Sequence, residues 1–236
     1  MTCNTARVQT GVASEHGLEP RDRRWTIAVV LGTVALLAHN WWIVIYPLGW
    51  MPSWDALISE AEATNQPHGW LLSGIDIAVG VAVLVALWLR RPAWAGRTGT
   101  AVFWWSVSWA VFGMLEGLFP LACSPSTDKV CEDAEWKFEL AYHHYVHMGS
   151  GVLEYVAATF VAIAAWRTPS LGWLRCFGKV MTIALIVAYP FMGLTFFTHR
   201  LSTISEAAFF TMFSVINGAV IWYRPRTVPV SSNSAH

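Results

Sequence analysis

The sequence predicts an all-α integral membrane protein, a helical bundle of six transmembrane helices, and three observations carry that prediction. The 236-residue chain is 55% hydrophobic and only 13% charged, where a soluble domain carries about 25% charged residues. Its apolar residues come in long runs rather than in alternation. Its cations are unevenly shared between alternate connectors. Arg7, Arg21, Arg23, Arg24, Arg90, Arg91, Arg97, Arg167, Arg175, Lys179, Arg224 and Arg226 fall on one side, against Lys129, Lys137 and Arg200 on the other. That asymmetry places both termini in the cytoplasm. The expected location is a bacterial plasma membrane.

Taken in order, residues 1–24 are polar and aperiodic, which predicts a disordered cytoplasmic N-terminus. The membrane domain then runs over 25–223, and 224–236 form a cytoplasmic tail. The first span is Trp25 to Leu48; it is too long for a signal-peptide core and lacks a small-residue cleavage site, so it is expected to be retained. The second runs from about Gly69 to Trp88 and the third from Ala101 to Leu121. The fourth covers His144 to Ala165, the fifth Val180 to Thr195 with Trp173 to Phe177 as a possible extension, and the sixth Ile204 to Tyr223. Most reach the roughly 20 residues that cross a bilayer.

Two outer connectors are more than linkers. In the first, Trp54, Leu57, Ile58 and Ala61 recur at helical spacing behind Ser53, a candidate N-cap. This predicts a short amphipathic helix lying flat on the outer leaflet. The second, 122–141, is the most hydrophilic stretch and holds Cys123 and Cys131, expected to form a disulfide. So small a ring constrains the unfolded chain by roughly 2.5 kcal/mol. Cys3 and Cys176 fall on the inner side, where thiols stay reduced. The run Thr203-Ile204-Ser205-Glu206 has the pattern of a capping box for the sixth span.

Seven ionisable side chains sit inside the apolar segments: His39, Asp76, Glu116, His143, His144, His147 and Glu154. Hydrocarbon penalises an Asp by roughly 2.5–3.5 kcal/mol even on mild scales. By position along the helices, all seven belong to the outer half. His143, His147, Ser150 and Glu154 are spaced i, i+4, i+7, i+11 and form one stripe on the fourth span, flanked by Gly149 and Gly151. The stripe is expected to face inward, toward Asp76, Glu116 and His39. His144 points off it and reads as an interfacial residue.

Such a set fits several chemistries. Asp76, Glu116, His143, His147, Ser150 and Glu154 could bind the polar head of an envelope lipid or amphiphile, with aromatic walls around its apolar part. His143 and His147 could ligate zinc for a metal-dependent intramembrane hydrolase, although the H-E-x-x-H pattern is missing. Alternating His and carboxylates could also serve a small proton-coupled transporter, against which stands the lack of an internal repeat. No phosphate-binding loop or soluble catalytic domain is present, and nothing points to nucleic acid.

Three stretches carry a family resemblance. They are Tyr46-Pro47 leading to Leu57-Ile58-Ser59-Glu60; Pro67-His68-Gly69-Trp70-Leu71-Leu72 with Gly74 and Gly80 beyond; and Phe119-Pro120 followed by Cys123-Ser124-Pro125-Ser126, Cys131 and the His-rich start of the fourth span. With these the chain resembles the bacterial multi-spanning membrane family known as domain of unknown function 998. The resemblance implies a bundle of about six helices and no activity. A fainter likeness, through buried Asp, Ser and His, is to transmembrane hydrolases of the alkaline ceramidase and progestin-receptor type. Those have seven spans and a late H-x-x-x-H, whereas His143-x-x-x-His147 lies in the fourth span here.

The topology is checked by reporter fusions. Alkaline phosphatase inserted within 122–141 is expected to be active and inserted within 91–97 inactive, while a fluorescent protein after His236 lights up. The opposite pattern would invert the bundle.

Overall fold

A computed structural model describes residues 23–94, 99–198 and 200–224. Of the stretch 1–24 expected to be disordered, 1–22 lie outside the described residues, as do the tail from 225 onward and Cys3, while Arg23 and Arg24 open the first helix. Helix α1 (Arg23–Ala38) is followed by the short α2 (Trp42–Ile45), then α3 (Gly69–Arg90), α4 (Thr100–Leu118), α5 (Lys129–Trp136), α6 (Tyr142–Arg167), α7 (Trp173–Thr198) and α8 (Ser202–Trp222). Among the described residues six segments are long and apolar enough to cross a membrane: α1 with α2, α3 with its extension to Trp94, α4, α6, α7 and α8. The chain is a multi-pass helical membrane protein.

The break between α1 and α2 has a local cause. Asn40 folds its amide back onto the Leu36 carbonyl at 2.9 Å and reaches Ser214 on α8 at 2.8 Å. A side chain that offers the backbone an alternative partner interrupts the helix there, and it brings the neighbouring His39 against α8.

The spans pack in chain order, α1 on α3, α3 on α4, α4 on α6, α6 on α7 and α7 on α8, and α8 closes the circuit on α1. Helix α8 also touches α3, α4 and α6. It is therefore the central helix: 67% of its apolar window is buried, against 22–39% for the others. The main core collects Val83, Leu87, Trp109, Val161, Leu185, Phe213 and Ile216 around it.

Lipid offers no hydrophobic drive between helices, so close backbone approach through small residues must supply the packing. The α3–α4 seam shows this. A Cβ on Gly117 would stand 2.5 Å from the Ser73 carbonyl oxygen, and one on Gly80 would stand 2.9 Å from the Ala110 carbonyl oxygen.

The outer connectors fold inward. The stretch expected as a surface helix is a single 3-10 turn, Ile58–Glu62, with all five residues buried. Only Trp54 keeps the exposure that a leaflet-lying face requires. The turn is drawn in because acceptors and donors wait for it. Glu206 accepts from the amides of Ile58 and Ser59, and Thr203 donates to the carbonyls of Ser53 and Ala56. The capping box of the sixth span is therefore not formed. Helix α8 starts from Leu201 in the left-handed region without a side-chain cap; Asp55 accepts from the Leu201 amide at 2.9 Å, and Glu206 caps the 3-10 turn instead.

The second connector closes over the first. Cys123 and Cys131 are disulfide-bonded, and Asp128 caps α5 by accepting from Val130 and Cys131. Thr64 bonds to the carbonyls of Leu121 and Ala122. Cys176 is disulfide-bonded rather than a reduced thiol, which corrects the expectation for the inner side.

Replacing Gly117 by Val should cost about 1–3 kcal/mol through overpacking, read as a lower Tm of the purified chain. Gly74→Ala, where a Cβ meets nothing within 4 Å, should leave Tm unchanged. Equal effects of the two would show that the α3–α4 seam is not held by close approach.

Candidate functional site

Helices α4 and α6 exchange carboxylates across their seam, and a glycine makes room for each. A Cβ at Gly113 on α4 would lie 3.1 Å from Glu154 Oε1 of α6, and one at Gly151 on α6 would lie 3.3 Å from Glu116 Oε2 of α4. The two carboxyl groups are in contact with each other. Of the two glycines flanking the stripe, Gly151 has this role, while nothing lies within 4 Å of a Cβ at Gly149.

Around this pair the structure gathers His147, His39 and Asp76. His147 donates from Nδ1 to the Glu116 carbonyl at 3.1 Å, and its Nε2 lies 3.9 Å from Glu116 Oε2. His39 Nε2 lies 3.7 Å from Glu154 Oε1, its Nδ1 contacts Ser214 Oγ at 3.0 Å, and its ring stacks on Phe210. Asp76 accepts from the Trp41 indole at 2.9 Å. His39, Asp76, Glu116 and Glu154 line a small inner cavity of about 20 Å³.

A second, larger cavity of about 380 Å³ lies outward of it. Glu116 lines both and stands between them. His147, Tyr155 and Glu116 provide the polar groups of its floor; Met148, Val152 and Val156 of α6 face Tyr189, Met192 and Phe196 of α7 across it. Glu206 and Ser202 of α8, the cap residues Leu57, Ser59, Glu60, Pro125 and Ser126, and Leu121, Glu132, Glu135 and Trp136 of the second connector add to its lining. Val152 and Val156 are 65% and 39% exposed, so the cavity reaches the lipid-facing surface between α6 and α7. Pro190 sits within α7 at this level, where its missing N–H removes one backbone bond.

The cap is tied down chiefly by Glu60. Its carboxylate accepts from the Leu57 amide, the Ser124 hydroxyl, and both the amide and hydroxyl of Ser126. That satisfies a buried charge with four donors and joins the two outer connectors. Glu62 turns inward and meets the Asp76 carboxyl.

The remaining expected residues fall elsewhere. His143 is half-buried, with Nδ1 on the Pro120 carbonyl at 2.6 Å; it lines neither cavity. Ser150 is buried on the stripe but lines neither. Among the described residues no group of three or more His, Cys, Asp or Glu is arranged to hold a metal ion. His144 is not interfacial: it is fully buried, accepts at Nδ1 from the Ala122 amide and faces Glu135 through Nε2 at 3.3 Å. A helical wheel places it off the stripe, and the second outer connector covers that side. Sequence reasoning also passed over Glu60, Glu62 and Tyr155, which nothing in their neighbourhood marked, and read Glu206 as a capping acid.

The proteins described as "Protein of unknown function (DUF998)" share a family pattern that matches residues 30–223 of this chain. No curated protein and no solved structure matches it.

Burial pushes the Glu62 carboxyl well above its ordinary value of 4.5, and the Asp76 carboxyl beside it acts in the same direction. A carboxyl raised on folding contributes stability that is complete below 4.5 and lost as pH rises through the folded value. Tm measured from pH 4.5 upward should therefore fall more steeply in the wild type than in Glu62→Gln. Parallel curves would show that Glu62 is not held protonated.

Proposed function

We propose that this chain, which belongs to the DUF998 family, holds a membrane amphiphile in the outer cavity between α6 and α7. The observation that carries this reading is the cavity's division: apolar walls that reach the lipid surface and a polar floor made by the buried Glu116 and His147 and the buried hydroxyl of half-buried Tyr155. At about 380 Å³ it has the size of a small-molecule site, in the range of about 300–1,000 Å³. The Glu60 latch ties the two connectors over it, and in this reading a ligand arrives from the side, with its chain along Val152, Val156 and Phe196 and its head against the floor.

The cavity-lining residues support binding and orientation. Tyr189 braces the wall by contacting Thr159 Oγ1 at 2.6 Å and donating to the Tyr155 carbonyl at 3.1 Å. That links α7 to α6 below the cavity, so the site stands on helices rather than on loops.

Native mass spectrometry of the chain extracted in lipid nanodiscs tests the reading. The wild type should carry one lipid-sized adduct, and Val156→Trp, which fills the lateral opening, should lose it with Tm unchanged. An adduct kept at equal occupancy in the variant, or absent from both, would sink the proposal.

A further inference from the structure

Resting on the amphiphile reading, the geometry points to the chemical class of the head: we infer that the cavity floor selects a primary ammonium over a phosphate or an uncharged hydroxyl. The first ground is the hydrogen-bond polarity of the floor. His147 must carry its proton on Nδ1, because the Glu116 carbonyl it faces can only accept. In the neutral imidazole this leaves Nε2 as a lone pair. No donor among the described residues reaches His147 Nε2, Glu116 Oε1 or Glu154 Oε1. Both His147 and Glu116 are more than nine-tenths buried.

The second ground is charge. No lysine or arginine lines the cavity among the described residues, while Glu60, Glu116, Glu132, Glu135 and Glu206 do. Four of these acids already have partners: Glu60 the cap donors, Glu206 the amides of the 3-10 turn, Glu132 the Lys129 ammonium and Glu135 the His144 ring. Glu116 has another carboxyl, Glu154, as its neighbour instead. A positive group is what that site lacks. A phosphate head would find no cationic side chain in this lining, and burial without a counter-ion is costly.

The third ground is distance. His147 Nε2 and Glu116 Oε2 are 3.9 Å apart, too far for a direct bond and close enough for one nitrogen to donate to both. A primary ammonium has three protons to give, two of them for this pair; the Tyr155 hydroxyl in the same cavity also lacks a partner. The Tyr155 and Tyr189 rings in the same cavity offer faces to a cation.

The test is titration calorimetry of the full chain in nanodiscs of uncharged net lipid, with decylammonium, decyl phosphate and decanol as probes. Val156→Trp serves as the blank for partitioning into lipid. Decylammonium should bind about tenfold more tightly than either other probe, the advantage of a charge-assisted hydrogen bond over a neutral one. Glu116→Gln should reduce that preference to less than about threefold, and His147→Phe, should the first variant not fold, should do the same. If decyl phosphate or decanol binds as tightly as decylammonium, the head assignment fails and the amphiphile site stands. If no probe exceeds the Val156→Trp blank, both fail.

Discussion

The outer half of the bundle depends on the carboxylate of Glu206 accepting the amides of Ile58 and Ser59. A buried backbone N–H without a partner costs about 1–3 kcal/mol, and this turn is buried at all five positions. Without an acceptor supplied from the central helix, the turn would stay at the surface. With it, the first outer connector enters the mouth of the bundle. Glu60 is then presented to Ser124 and Ser126, and the second connector is pulled over the top. The roof of the cavity is therefore a consequence of one acid on α8. The helix gives up its own side-chain cap in exchange, for Leu201 at its start has none.

The same economy explains the buried acids deeper in. A carboxylate in hydrocarbon needs space as well as partners, and the glycines at 113 and 151 supply the space on opposite helices. Gly113 receives Glu154 and Gly151 receives Glu116, so each helix is small where its neighbour is charged. A side chain at either position would push α4 and α6 apart and expose the seam. Close helix contact and the paired carboxyls are thus a single arrangement. It leaves Glu116 as the partition between a small closed chamber and a larger one that reaches lipid.

Much of this was legible from the residues. Span boundaries followed from apolar runs to within a few positions, because the membrane imposes a length on each helix. The Cys123–Cys131 pair followed from proximity in one connector. The inward stripe correctly placed His147 and Glu154 because helical periodicity survives any tertiary arrangement. Illegible were the residues whose partners lie on another segment. Thr203 and Glu206 have the spacing of a capping box, yet local spacing cannot say whether a side chain turns to its own helix or to a docking loop. Glu60 and Glu62 carried no local signal for the same reason. His144 looked interfacial until α5 and its connector covered it.

The architecture also decides from which direction the site is reached. Above the cavity, Glu60 has four donors from two connectors, and His144 ties the second connector to α6. Opening from that side would strand several buried polar groups at once, each costing about 1–3 kcal/mol. Between α6 and α7 the groups at the lateral opening are apolar side chains such as Val152 and Val156. These two side chains have no hydrogen bond to lose, and the α6–α7 hydrogen bonds of Tyr189 to Thr159 and the Tyr155 carbonyl lie below them; in the proposed reading a lipid chain replaces one apolar neighbour by another at little cost. The path of least resistance therefore runs sideways through the α6–α7 gap. The amphiphile proposed above would, on this path, be dissolved in the bilayer before it meets the polar floor.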